Sequence, residues 1–187
     1  MNRLTSITLL SFLTILLFSF SSCAGGNQSH ADQADHSKHM EESNSMATSS
    51  VDTNIPKEQA QNILTAYLKV KDALVQTDGA AASQAATKLV STLGDGEDEH
   101  LEKIRFDAEH IAEAKDPTYQ REYFNTLSEN VFVMLKATEA NESPIYRQYC
   151  PMAFDSKGAF WLAAEKEVNN PYFGDKMLHC GSVKEEL

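Results

Sequence analysis

Between Pro56 and Ala140, apolar residues recur at helical spacing in four blocks, each bounded by residues that start or stop helices, and few folds satisfy that pattern. Ile63, Leu64, Tyr67, Leu68, Leu74 and Val75 stripe the first block, which Pro56 opens and Thr77-Asp78-Gly79 closes. Ala82, Ala85, Ala86, Leu89, Val90 and Leu93 stripe the second, with Asp78 placed as its N-cap and Gly94 as its stop. Leu101, Ile104, Ala108 and Ile111 mark the third. Asp116-Pro117 then ends one helix and begins the next, and Tyr123, Leu127, Val131, Met134 and Leu135 stripe the fourth. Short connections join antiparallel neighbours, so residues 55–141 are expected to form an up-and-down four-helix bundle.

A helical bundle rich in carboxylates raises the possibility of a di-iron centre, because Glu97 to His100 forms a Glu-x-x-His. Such a centre requires that motif on two helices and a further glutamate from each of two others. The fourth block supplies no second copy. Residues 97–110 are therefore expected to be a solvated acidic face, and His100 and His110 are left out of the candidate site.

Ahead of the bundle, residues 1–22 carry one charge, Arg3, then an apolar run from Leu9 to Phe20, then Ser21-Ser22. The run falls short of the ~20 residues that cross a bilayer and has the basic-then-apolar order of an export signal. Small residues directly before Cys23 resemble the lipobox of bacterial lipoproteins, which makes Cys23 the expected lipidation site. Residues 23–54 contain hardly any large apolar side chain and are expected to be a disordered tether. His30, His36, His39 and Met40 within it read either as a loose auxiliary metal-collecting tract or as incidental residues of a polar linker.

The chain's net charge is −11, and the only charge in the leader is positive, so the remainder stands at −12. A surface of that sign repels phosphates, which argues against nucleic acid as a partner and favours cations.

Residues 142–187 hold the protein's single tryptophan and two of its three cysteines. Pro144 bars further helix, Ile145 to Tyr149 reads as a short strand, and Phe154 to Trp161 reads as a hairpin with turn residues between aromatic arms. The whole is therefore mostly α, a bundle followed by a short hairpin and loop tail packed on it. Cys150 and Met152 open this tail, and Met177, His179 and Cys180 close it. Thiolates and thioethers select monovalent copper or a similarly soft ion, whereas imidazole accepts copper and zinc alike. Two cysteines in an oxidising compartment are equally readable as a disulfide. No Cys-x-x-Cys couple occurs, and no nucleophile can be matched with a base and an orienting acid, so no enzymatic activity is expected.

The strings YCPMAF, GAFWL, NPYFG and ML-x-CG, in this order and preceded by Arg121, Phe124 and Ser128, resemble the domain of unknown function numbered 3347. The resemblance runs from about Val51 to the end of the chain. That domain occurs in small envelope lipoproteins and at the ends of periplasmic adaptor proteins of heavy-metal efflux pumps. The resemblance thus implies a lipid-anchored protein of the bacterial envelope, facing the periplasm. It further implies that copper(I) or silver(I) is handled there, buffered or passed to an efflux adaptor or another component of such a system. His179 ranks below Cys150, Met152, Met177 and Cys180 as a ligand. The competing expectation is a structural or protein-interaction module in which Cys150 and Cys180 form a disulfide and no metal binds.

The leader generates the first prediction. Changing Cys23→Ser is expected to move the protein from the membrane fraction to the soluble envelope fraction, and unchanged fractionation would remove the lipid anchor.

Overall fold

Three aspartates fold their carboxylates back onto the first turn of a helix, and these caps fix where three of the four bundle helices begin. Asp78 accepts from the backbone N–H of Ala81, Asp98 from His100 and Leu101, and Asp116 from Thr118. Each such cap contributes about 1 kcal/mol. The computed structural model describes residues 54–96 and 98–187. The leader, Cys23, the tether residues His30, His36, His39 and Met40, and Glu97 lie outside the described residues. Those described fall within one compact unit bounded by Met46 and Leu187.

The helices are α1 (Lys57–Val75), α2 (Gly79–Thr92), α3 (Glu99–Glu113) and α4 (Pro117–Thr138). Each packs on its neighbour in sequence, and α1 closes the bundle against α4, giving the expected up-and-down arrangement. Buried Tyr67, Leu74, Leu89, Ile104, Ile111, Leu127 and Met134 fill the interior. Gln120 is also fully buried. Its amide nitrogen faces the carbonyls of Gly79, Ile111 and Ala114 at 2.9, 3.1 and 2.8 Å, joining the start of α2 to the end of α3.

The acidic face expected at residues 97–110 is only partly solvated, because His100 and Asp107 are buried. The helical period places both on the inward side of α3 with Ile104 and Ile111. His100 Nε2 lies 2.7 Å from the Asn130 carbonyl oxygen. The Asp107 carboxylate accepts from Thr126 Oγ1 and Asn130 Nδ2 at 2.7 and 3.0 Å, and burial raises its pKa above the usual carboxylate value.

After α4 the chain forms a three-stranded antiparallel sheet, β1 (Tyr146–Cys150), β2 (Ala159–Ala163) and β3 (Ser182–Glu186), in the order β2-β1-β3. The hairpin differs from the expected one. Its arms are β1 and β2, with Cys150 opposite Ala159 and Tyr146 opposite Ala163. Phe154, read from sequence as an arm, lies in the connection, in the short helical turn α5 (Ala153–Ser156). Phe154, Asp155 and Ser156 all have positive φ, a left-handed stretch that costs side-chain-bearing residues roughly 1–2 kcal/mol each. The third strand was not foreseen, because Ser182 to Glu186 alternates exposed with half-buried residues and presents no apolar face.

β2 is an edge strand, and an edge buried against other elements must find partners for its backbone groups. Two tyrosines supply them. The Leu162 N–H donates to the Tyr67 hydroxyl at 3.0 Å, and the Tyr172 hydroxyl donates to the Phe160 carbonyl. The Tyr67 hydroxyl donates to Ser128 Oγ at 2.8 Å, and Ser128 in turn donates to the Phe124 carbonyl at 2.7 Å. Burial raises both tyrosine pKa values, so these hydroxyls remain neutral donors. The Phe124 ring lies 5.2 Å from that of Tyr67 and 5.9 Å from that of Tyr172, completing the joint between bundle and sheet.

Tyr67→Phe keeps the ring and strands the Leu162 N–H in the interior. A loss of about 1–3 kcal/mol is expected, read as a fall of several degrees in Tm by circular dichroism. An unchanged Tm would mean that the β2 edge is satisfied by other means.

Candidate functional site

Cys150 ends β1 on its inward face, where alternation along the strand puts it on the same side as Gln148, and it is fully buried. Cys180 stands just ahead of β3 and is half-buried. Separated by 30 positions in the chain, the two sulfurs lie 3.1 Å apart as free thiols. A disulfide would hold them at about 2.05 Å. A tetrahedral metal with sulfur at about 2.3 Å would hold them roughly 3.8 Å apart. The hydrogen bond with Cys150, aided by burial, raises the Cys180 pKa, so the Cys180 thiol keeps its proton near neutral pH and ligation of a metal by that sulfur would release it.

Asn170 sets the position of Cys180. It is fully buried, and each of its polar groups is used. Its side-chain amide donates to the Cys180 carbonyl at 2.7 Å, and its backbone N–H donates to Leu178 at 2.8 Å. Its Oδ1 accepts from Tyr172 N–H and its carbonyl from Gly174 N–H, so the NPYFG string is a tight turn clasping the segment that carries the Cys180 thiol. Arg121 on α4 fastens that turn to the bundle. Its Nε donates to the Pro171 carbonyl at 2.7 Å, and its terminal nitrogen reaches the Leu74 carbonyl and Thr77 Oγ1 at 3.1 and 3.0 Å. Gly181 completes the approach at φ 148°, where a Cβ would sit 2.9 Å from the Tyr149 carbonyl oxygen and 3.0 Å from the Trp161 ring.

The five candidate ligands of the tail separate into three parts. Cys150 and Cys180 meet. Met152, half exposed, and Met177, partly buried, line one groove with Arg121, Phe154, Tyr172 and Phe173, and neither cysteine is in that lining. His179 is exposed, with Nδ1 2.9 Å from the Val168 carbonyl, and is outside the groove lining as well. Among the described residues, no three histidine, cysteine, aspartate or glutamate side chains gather in a metal-binding arrangement. The auxiliary residues His30, His36, His39 and Met40 lie outside the described residues.

Sequence reasoning gave Asn170 and Gly181 no role of their own. The available signal was their place inside the NPYFG and ML-x-CG strings. Arg121, Phe124 and Ser128, singled out by resemblance, are the residues that join the tail to the bundle.

Fold and site together define a helical-bundle domain bearing a thiol pair on a small C-terminal sheet. The family model described as "Protein of unknown function (DUF3347)" matches residues 63–143, which bears out the resemblance over that stretch. Arg121, Phe124 and Ser128 fall inside the matched stretch, and the cysteine-bearing strings fall beyond it. No curated protein and no solved structure matches the chain. Among the described residues, no helix is long and apolar enough to cross a membrane.

The close approach at Gly181 is testable. Gly181→Ala is expected to push Cys180 away from Cys150, lowering the fraction of disulfide formed under a fixed glutathione redox buffer and lowering Tm. Gly96→Ala, whose Cβ would meet nothing within 4 Å, is the control. Equal disulfide yields in the two variants would refute the role of Gly181.

Proposed function

We propose that this domain is a carrier for a soft monovalent metal ion, copper(I) or silver(I), bound through the Cys150 and Cys180 sulfurs while the protein is tethered by lipid to the bacterial envelope. The observation that carries the reading is the convergence of two thiols from opposite ends of the tail, one buried and one half-buried. Thiolates are the ligands such ions prefer, and a site with few ligands releases its ion readily to an acceptor. Met152 stands two residues from Cys150 and is exposed, and Met177 stands three residues from Cys180, so thioethers border the pair on both chain segments. In this reading the two thiols hold the ion, the methionines of the separate groove add a weaker thioether site, and His179 is dispensable. The domain buffers its cargo or passes it to an efflux adaptor, with no catalytic step. The acidic balance of the chain favours cations in its neighbourhood.

A second reading is favoured by the sulfur separation itself, which is shorter than two metal-bound sulfurs would keep. In that reading the pair closes as a disulfide, pinning a loop of about 30 residues with roughly 3–4 kcal/mol of chain-entropy stabilisation, and the domain is a metal-free interaction module.

The readings part on titration of the reduced protein with copper(I) against a competing chelator. The carrier reading expects one tightly bound ion, a metal-dependent rise in Tm, loss of binding in Cys150→Ser, and weaker binding in the Met152→Leu/Met177→Leu double variant. Equal affinity in the double variant would remove the methionines from the site. Absence of binding by the reduced wild type, with Tm raised by oxidation alone, would leave the disulfide reading in place.

A further inference from the structure

Away from the thiols, α3 and α4 leave an open cleft of about 540 Å³ between them. Phe106 lies at this cleft with 56% of its surface exposed, and Tyr123 lines it opposite. An exposed ring rimmed by polar residues within a cleft is a candidate contact surface, whereas a lone exposed ring is not. Asp107, Glu122, Glu99 and Glu102 surround the rings, and Lys103 is the single cation in the lining. Glu99 is engaged by Lys103 at 3.0 Å and Glu102 by Arg105 at 3.2 Å. Glu122 has no ion-pair partner among the described residues, whereas Asp107 at the floor is held by Thr126 and Asn130 and lies near His110. Ring faces beside uncompensated carboxylates attract a cation with a flat, weakly hydrated head.

The same chain fills one such slot with its own side chain. Arg147 lies between two rings, its guanidinium carbon 3.9 Å from the Phe132 centroid and 4.0 Å from that of Phe160, while it donates to Glu129 at 2.7 Å. The α3–α4 cleft presents similar components: His110 packs on Phe106 and Tyr123 at 4.3 Å each from outside the cleft lining, and no guanidinium from the described residues lines the cleft. We propose that this cleft is the docking site for an arginine side chain presented by a partner protein, with the guanidinium stacked on Phe106 and paired to Glu122. Arginine suits the slot better than lysine, because its planar head covers a ring while its edge still donates to a carboxylate. The site is independent of Cys150 and Cys180, so it stands or falls apart from metal binding.

The test uses the reduced, metal-free protein and the peptide acetyl-Gly-Arg-Gly-amide, followed through the ring-proton resonances of Phe106 and Tyr123. Saturable shifts are expected with this peptide and not with its citrulline counterpart, which keeps the shape and loses the charge. Phe106→Ala and, separately, Glu122→Gln are each expected to weaken the response about five-fold, a factor in keeping with one exposed cation–π or ion-pair contact. Both residues lie at the surface, and the second variant serves if the first alters the fold. Equal shifts from the citrulline peptide, or none from either at about 10 mM, would overturn the proposal. So would concentration-dependent self-association that Phe106→Ala abolishes, since the cleft would then be covered by a second copy of the chain.

Discussion

The outer edge of β2 is where this molecule is held together. A short sheet of three strands cannot stand alone, and a strand pressed against a helical bundle loses water from backbone groups that no helix backbone can pair. Tyr67 and Tyr172 meet that demand from two sides, one rooted in α1 and the other in the tail. Because the Tyr67 hydroxyl both accepts and donates, the Leu162 amide is linked through it to Ser128 and then to the α4 backbone. Replacing that relay by apolar contact would leave the strand without registry on the bundle. The position of β1, and hence of Cys150, follows from the position of β2.

A second fastening works on the other thiol. Arg121 joins the carbonyl end of α1 to the turn at Pro171, and Asn170 within that turn grips Cys180. The two sulfurs are therefore placed by separate devices, both rooted in the helices, and they meet only if both devices are seated. This explains why a tail with little regular structure holds two side chains within 3.1 Å. It also places the left-handed stretch from Phe154 to Ser156 in context, because the Phe154 ring packs edge-on to Tyr172 at 5.4 Å and repays part of the backbone cost.

Much of the bundle was legible in the sequence, because its signals are local. Apolar spacing, the Asp78 cap and the Asp116-Pro117 pair each act within a few residues, and each functions in the structure as read. His100 and Asp107 were misread as solvated because a charged residue on an inward stripe looks like any other until its partners, Asn130 and Thr126 on the next helix, are known. The tail was harder. Its aromatic residues announced strands, but Phe154 serves a turn, and β3 carries charge where a buried strand would carry valine or isoleucine. Grouping the five tail ligands by their nearness in sequence was also too coarse. Cysteines thirty positions apart converge, whereas Met152, only two positions from Cys150, opens onto a different surface.

The span of the Tyr67 to Leu162 bond, 95 positions, has a consequence in time. Contacts between near neighbours form early in folding, and those that close long stretches of chain wait until the intervening elements have assembled. Helices α1 to α4 all lie between those two residues or flank the first of them, so the sheet finds its dock only on a completed bundle. Cys150 and Cys180 thus remain strangers until the helices have closed, and the thiol pair is among the last elements of the domain to come together.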